Sequence, residues 1–190
     1  NALPPLLETQ VVDAADSIAY DTHDADDAIE LGFVKLDELL ELPLVAKAAD
    51  NVDSQHGKLD PLLLRRAILH ELIELQVAGL VTQTSARLQT LKNPSVDRIK
   101  RVSSDGNRIV SHDLTIQQGK EELESFLFQR VYRSDQVMKV RRQSQHTMRD
   151  LFFWYCENPI ALPSGYFQRS ETIGVPRSVA DYIAGMTDRF

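Results

Sequence analysis

The chain has 190 residues, 43% of them hydrophobic and 26% charged, and a formal net charge of −7. This composition predicts a folded protein with one substantial core and excludes a disordered or fibrous chain. No apolar run approaches the roughly 18–20 residues that cross a bilayer, so we expect a cytoplasmic protein without a membrane partner. The single cysteine, Cys156, excludes an internal disulfide and a cysteine-rich zinc site.

Charge is distributed unevenly along the chain. Residues 1–30 contain eight acidic residues and no Lys or Arg, whereas residues 130–149 contain six basic residues and a single acid, Asp135. The negative total charge argues against nonspecific duplex binding as the main function. An acidic segment that holds a cation and a basic segment that faces phosphates would suit a metal-assisted phosphate enzyme. Simple attraction between the two segments would leave the same pattern.

Helical spacing of apolar residues accounts for most of the chain. The predicted helices, in chain order, cover residues 6–32, 34–49 with an interruption at 43, 61–91, 94–102, 120–157 and 176–190. Asp60-Pro61 and Asn93-Pro94 each combine an N-cap residue with a proline at the first helical position. Gly79 is expected to divide or bend the third helix. Residues 120–157 contain no Pro or Gly, which predicts one long helix or two nearly continuous ones.

The remaining segments are predicted to be loops, with one exception. Residues 51–58 read as a polar loop, residues 105–107 as a turn, and residues 159–176 as an irregular segment with Pro and Gly. Residues 108–112 form either a short strand or an extended segment, and they are the only credible β content. We therefore predict an all-α fold, an irregular multi-helix bundle.

The first predicted helix carries an acidic stripe. With an advance of about 100° per residue, one narrow sector collects Asp13, Asp16, Tyr20, Asp24 and Asp27. The opposite side is apolar and collects Val11, Ala15, Ile18, Thr22, Ala25 and Ile29. Acids three and four residues apart repel one another, and a bound cation would relieve that repulsion. The alternative is a solvated acidic face. Tyr20 favours a nucleotide pocket, because an aromatic ring gains little on a solvated face.

Two segments near the ends of the chain resemble one enzyme family. ETQVVDAADSIAYDTHDADDAIELG, Glu8 to Gly32, resembles the segment that supplies the last metal ligand in HD-superfamily enzymes similar to deoxyguanosine triphosphate triphosphohydrolase. ADYIAGMTDRF, Ala180 to Phe190, resembles the tail of the same family, and FLFQRVYRSDQV resembles its aromatic and basic segment loosely. The resemblance implies that the chain is the C-terminal part of an HD-domain phosphohydrolase fold.

The resemblance also implies roles for three residues of the acidic stripe. Asp16 would be the fourth ligand of a divalent metal such as Mg²⁺ or Mn²⁺. Tyr20 would line the substrate pocket, and Asp24 would accept a hydrogen bond from the deoxyribose 3′-hydroxyl. The pair His23-Asp24 is an HD dipeptide, but the ligating pair of the family lies upstream on another helix, and His112-Asp113 lies in a turn-like region.

The other metal ligands of the family, a His and a His-Asp pair, would precede residue 1. We therefore expect no catalytic residue within this sequence, and an inactive chain when it is isolated. The resemblance divides the chain into the last helices of the metal-site domain, residues 3–50, and a C-terminal helical domain, residues 51–190.

The basic segment offers candidate phosphate ligands. Tyr132, Arg133 and Lys139 lie on related turns of the predicted 120–157 helix, and arginine binds phosphate through two hydrogen bonds. The alternative is a solvated basic face. The aromatic residues 152–155 cover too much of a helix circumference for one core stripe, so some are expected at another element or another subunit.

Two hypotheses for function follow. The first is a metal-dependent deoxynucleoside triphosphate triphosphohydrolase, which converts a deoxynucleoside triphosphate and water to a deoxynucleoside and triphosphate. The family usually forms dimers or larger rings, so a homo-oligomer is expected. The second is a noncatalytic helical module, either regulatory or binding single-stranded nucleic acid. A His followed by a His-Asp pair encoded immediately upstream would favour the first.

Overall fold

In the computed structural model of the chain, residues 5–91, 95–104 and 108–186 are described, and every regular element in these ranges is helical. The α-helices are α1 (Leu7–Glu30), α2 (Leu36–Leu39), α3 (Pro43–His56), α4 (Pro61–Thr90), α5 (Val96–Ser104), α6 (Leu114–Leu127), α7 (Asp135–Glu157), α8 (Ser164–Ile173) and α9 (Val175–Ala184). A π-helical turn (Phe128–Tyr132) follows α6, and a 3₁₀ turn (Pro159–Ala161) follows α7. The prediction of an all-α fold is confirmed.

The chain divides into two compact units, residues 1–132 and 133–190. The predicted domain boundary after residue 50 lies inside α3, which packs on α4 and on α6. These contacts join residues on both sides of position 50 into the first unit. The division into a metal-site domain and a C-terminal domain stays a prediction about function.

The core of the first unit is built by α1, α2, α3, α4 and α6. Its buried side chains include Ala25, Ala28, Leu39, Leu44, Val45, Ala48, Val52, Ile68, Leu72, Ile116, Leu123 and Leu127. Gly119 lets α6 approach α3 closely, because a Cβ atom at this position would lie 2.9 Å from the Leu44 Cβ. Between α1 and α4, Arg65 Nε donates to the Asp26 carboxylate at 2.7 Å.

Side-chain caps begin several helices. The Asp60 carboxylate accepts hydrogen bonds from the Leu62 and Leu63 amides, and Asp113 caps α6 in the same way. Gly32, with φ of 74°, follows the end of α1 in the left-handed region that glycine adopts without strain. Helix α4 runs unbroken past Gly79, which faces Ile116 on α6, so Gly79 does not divide this helix, and the alternative of a bend there stays a prediction.

Two predicted loops are helical in the structure. Helix α3 continues to His56 because Val52, which is 2% exposed, extends the buried stripe of Leu44 and Ala48 by one turn. Residues 159–176 hold the 3₁₀ turn and α8, which packs on α9, where the Ser178 hydroxyl donates to the Tyr166 carbonyl at 2.6 Å. Proline and glycine therefore mark helix starts and ends here. Residues 108–113 are irregular, with a bend at residues 109–110, and form no strand.

The predicted 120–157 segment is two helices. The first begins earlier, at the Asp113 cap, and Ser134 caps the second by accepting a hydrogen bond from the Val137 amide. Within the second unit, Tyr155 on α7 and Tyr166 on α8 both contact the Tyr182 ring on α9. The helix start predicted at Asn93-Pro94, the turn predicted at residues 105–107 and the chain beyond Met186 lie outside the described residues.

Candidate functional site

Helix α1 presents most of its predicted stripe to solvent. Asp16, Tyr20 and Asp27 are exposed, and the exposed fraction of Tyr20 is 68%. The opposite face is buried at Ile18, Thr22 and Ala25, as the spacing predicts. The stripe is therefore a continuous ridge on the surface of the first unit, and we call these five residues the acidic ridge: Asp13, Asp16, Tyr20, Asp24 and Asp27.

The structure brings together two predicted site residues that are far apart in the sequence. The Tyr132 hydroxyl donates a hydrogen bond to the Asp24 carboxylate. Tyr132 ends the π-helical turn after α6, and Val131 beside it packs against the core. Single π turns inside α-helices often occur at functional sites. In this chain the side chain of the last residue of the turn meets the ridge.

The Asp24 carboxylate changes the acidity of Tyr132. Its hydrogen bond, with smaller contributions from burial and from the negative charges of Asp24 and Asp21, raises the pKa of Tyr132 to about 12. The phenol therefore stays protonated at neutral pH and acts as a hydrogen-bond donor. A paired hydroxyl and carboxylate of this kind suits a ligand that carries a hydroxyl group.

A buried ion pair lies behind the ridge. Lys120 on α6 donates to Asp21 on α1, and their side chains are only 7% and 9% exposed. Lys120 also contacts the Glu124 carboxylate at 2.6 Å. Burial raises the pKa of the Asp21 carboxyl, and the hydrogen bond and charge of Lys120 oppose this shift. The pair links α1 to α6.

The sequence reasoning missed this pair. Asp21 lies at the edge of the apolar face of α1, and an acid there is a signal that a buried partner exists. The partner is 99 residues away, so no local pattern identifies it. His112, a second buried polar residue, has its pKa lowered first by burial and then by the charge of Lys120.

The other two predicted phosphate ligands belong to the second unit. Arg133 and Lys139 are exposed, and Lys139 lies in the second turn of α7. The expectation that Tyr132 shares a helix with them is wrong, because the helical segment ends at Tyr132 and restarts at the Ser134 cap. Their role in phosphate binding stays a prediction.

The donor set of the described residues does not fit a divalent metal. No group of three or more His, Cys, Asp or Glu side chains within residues 5–91, 95–104 and 108–186 is placed to hold one. Asp16 is exposed and makes no hydrogen bond or ion pair with a described residue. His23 on the same helix is exposed as well. Asp16 would thus be a single carboxylate ligand, and the roles of Asp16 and Tyr20 stay predictions.

The structure describes part of the tail and the aromatic residues of α7. In α9, Asp181 pairs with Arg169 at 2.8 Å and with Arg177 at 3.0 Å, which accounts for its charge. Phe153 and Trp154 on α7 are about half exposed, at 55% and 51%. Asp188 lies outside the described residues.

A search of the described helices finds none that is both long enough and apolar enough to pass through a bilayer. The cytoplasmic location stays a prediction.

Comparison with known proteins identifies relatives along nearly the whole chain. Residues 109–190 match the family described as the phosphohydrolase-associated domain. The chain is 33% identical over 186 residues to the deoxyguanosinetriphosphate triphosphohydrolase-like protein of Geobacter sulfurreducens, which is 98% of this chain and 48% of that protein. It is 33% identical over 187 residues to the protein of the same name from Paracoccus denitrificans, which is 96% of this chain and 49% of that protein. The chain thus spans about half the length of these relatives.

Proposed function

Because the chain carries a phosphohydrolase-associated domain and is a homologue of deoxyguanosinetriphosphate triphosphohydrolase-like proteins, we propose that it forms part of a deoxynucleoside triphosphate triphosphohydrolase. The reaction adds water to a deoxynucleoside triphosphate and releases a deoxynucleoside and triphosphate. The hydrogen bond between Tyr132 and Asp24 carries the proposal on the structural side, since it joins the acidic ridge to the aromatic and basic segment of the sequence.

In this proposal the Asp24–Tyr132 pair binds the sugar. Asp24 accepts a hydrogen bond from the deoxyribose 3′-hydroxyl, and Tyr132 holds the carboxylate in place. Tyr20 lies one helical turn before Asp24 and, at 68% exposed, has an open ring face for stacking. Tyr132 then acts at the sugar end of the substrate, and the binding of the triphosphate by Arg133 and Lys139 stays a separate prediction from the sequence.

The proposed metal needs ligands that the described residues do not provide. Asp16 would contribute one carboxylate, and the resemblance to the HD superfamily implies that a His and a His-Asp pair outside this sequence would supply the other ligands. We therefore derive no catalytic step from the metal. The proposal predicts that the chain alone releases no triphosphate from a deoxynucleoside triphosphate, even with Mg²⁺ or Mn²⁺ present.

The decisive experiment uses the complete protein that contains this chain. Asp16→Asn is expected to lower both the bound metal and the rate of triphosphate release, the latter by about 100-fold or more, because even the residues that support metal ligands contribute up to that factor. Asp27→Asn removes the same charge from the same ridge and should change neither quantity. Unchanged metal content and turnover in Asp16→Asn would exclude the ligand role.

The substrate role of Asp24 has its own test. Asp24→Asn in the complete protein is expected to weaken binding of a deoxynucleoside triphosphate and to leave the metal content unchanged, since Asp24 is not the proposed ligand. A 2′,3′-dideoxynucleoside triphosphate lacks the 3′-hydroxyl, so the variant should lose little affinity for it. Equal losses for both substrates would contradict the sugar contact.

A second candidate function is binding of single-stranded nucleic acid. Arg142, Gln145, His146 and Arg149 lie three and four residues apart on α7, are all exposed, and line one open depression. Such a basic stripe tracks a phosphate backbone. Arg142→Gln combined with Arg149→Gln should weaken binding of a labelled oligonucleotide, whereas Arg169→Gln combined with Arg177→Gln should not. Equal effects of the two pairs would exclude the stripe as the binding surface.

We also propose that the complete protein is a homo-oligomer. The half-exposed aromatic rings of Phe153 and Trp154 support it, since large apolar side chains gain from burial at a contact between subunits. Light scattering of the eluting peak in size-exclusion chromatography should give a mass of at least two chains. Phe153→Ser combined with Trp154→Ser should shift that mass toward the monomer.

A further inference from the structure

A cleft of the first unit lies apart from the Asp24–Tyr132 pair. It has a volume of about 210 Å³ and opens between the end of α4, α5 and residues 108–109. The apolar side chains of Leu91, Val102 and Ile109 line it, and Arg87 and Arg108 contribute its positive charge. Thr90 adds a hydroxyl group.

Among the described residues, the guanidinium group of each of the two arginines makes one contact. Arg87 Nη1 donates to the carbonyl oxygen of Arg108, which fixes the Arg87 guanidinium against the backbone of residue 108. Arg108 Nη2 donates to the Asp13 carboxylate at 3.0 Å. A guanidinium has five N–H donors, and each of these contacts uses one of them. The remaining donors suit an anion with several oxygen atoms, above all a phosphate.

A buried amide builds the frame of the cleft. Gln10 on α1 is 0% exposed, and its side-chain oxygen accepts from the Ile109 amide at 2.9 Å. Its nitrogen donates to the Ser103 hydroxyl at 2.9 Å. The side chain of Gln10 thus holds both the end of α5 and residues 109–110 against α1. The apolar lining is therefore preorganised for a ligand.

The charge around the cleft also favours an anion. Helix α5, which forms one wall, carries Arg98, Lys100 and Arg101 against the single acid Asp97. The positive potential of such a wall attracts anions beyond the range of a direct contact.

We propose that this cleft binds a small phosphorylated molecule, with its phosphate on Arg87 and Arg108 and its ring or other apolar part against the partly exposed Leu91 and Val102. The ion pair between Arg108 and Asp13 is the competing interaction. Its side chains are 56% and 45% exposed, so it is weakly stabilising and the phosphate displaces Asp13 from Arg108. The proposal does not depend on the triphosphohydrolase reaction, since none of these residues has a part in it.

The test is a titration of the full chain, followed by nuclear magnetic resonance, with phenyl phosphate and inorganic phosphate as probes. Phenyl phosphate is expected to shift the amide signals of Leu91, Val102 and Ile109. It should bind about fivefold or more tightly than inorganic phosphate, because its ring loses contact with water. Equal affinities, or shifts elsewhere without shifts at these three residues, would overturn the proposal.

Two matched pairs of variants separate the site from general charge effects. Arg87→Gln should weaken phenyl phosphate binding by about tenfold, since it removes a charged hydrogen-bond donor, and Arg66→Gln, an exposed site on the same helix, should not. Asp13→Asn should tighten binding several-fold because Arg108 loses its competitor, whereas Asp27→Asn should have no such effect.

Equal changes within either pair would overturn the proposal. The spectrum of each variant reports whether it is folded. If Arg87→Gln does not fold, the Asp13 pair decides alone, because it removes only an exposed contact.

Discussion

The acidic residues on the two faces of helix α1 differ in burial and in their partners. On the buried face, Asp21 is 7% exposed and is neutralised by Lys120. On the exposed face, Asp16 makes no hydrogen bond or ion pair with the described residues, and Asp24 receives one hydrogen bond from Tyr132. Buried acids have partners because an unpaired charge in the core is costly. Exposed acids are free to meet a ligand, so the contrast separates acids that hold the fold from acids available for function.

The largest effect is expected at the buried pair. Lys120→Met keeps the length of the side chain but leaves Asp21 without its counter-charge, and should lower the free energy of unfolding by about 3–5 kcal/mol at neutral pH. The measurement is urea unfolding followed by circular dichroism. Burial already raises the pKa of Asp21, and losing Lys120 raises it further. A raised carboxyl pKa means that the folded state binds the proton more tightly, so part of the lost stability should return at acidic pH.

The double variant Asp21→Asn with Lys120→Met removes both charges of the same pair and tests whether the unpaired charge causes the loss of stability. Without a buried charge it should regain most of the stability that Lys120→Met loses. A double variant as unstable as the single one would show that Lys120 acts through packing alone.

The next largest effect is expected at Gln10, on the same buried side of α1. Gln10→Met preserves volume but leaves the Ile109 amide without its acceptor and the Ser103 hydroxyl without its donor, which should cost about 2 kcal/mol. Thermal unfolding measures the loss. Gln118→Met, an exposed position on α6, is the matched control and should be near neutral. Similar losses in both variants would remove the distinction between buried and exposed amides.

A smaller effect is expected where the ridge meets Tyr132. In an ultraviolet titration, the difference between the chain and Tyr132→Phe should show a tyrosine that ionises at about 12. Because this folded-state pKa lies above the ordinary value of about 10, its contribution to stability is present below pH 10 and is lost as the pH rises through about 12. Asp24→Asn should move the ionisation back toward 10, and Asp27→Asn should not. Ionisation near 10 in the unaltered chain would contradict the hydrogen bond.

The smallest effect on stability is expected at the residue with the largest proposed role in function. Asp16→Asn should change the free energy of unfolding by less than about 0.5 kcal/mol, since the side chain is exposed and unpaired among the described residues. Urea unfolding beside Asp27→Asn measures it. A loss of more than about 1 kcal/mol, which is twice that limit, would show that Asp16 stabilises the fold.

Local patterns predicted much of this arrangement. The spacing of α1 identified both the ridge and its apolar back at Ile18, Thr22 and Ala25. The Asp60-Pro61 signal located the start of α4, because a cap and a proline act on the first turn alone. Prediction failed where a helix depends on distant contacts. Residues 51–56 are polar apart from Val52, yet they continue α3 because Val52 is buried in the core.

The amino-acid sequence by itself determined the all-helical class, the two faces of α1 and the likeness to the triphosphohydrolase-like proteins. Each of these properties depends on local patterns, in which the residues lie within a few helical turns of one another. Only the tertiary structure decided that Asp21 is paired with Lys120, that Asp24 meets Tyr132 and that Gln10 frames a cleft, since the partners lie 93 to 108 positions apart. Helical periodicity says which way a side chain faces, and the packing of the whole chain decides what it faces.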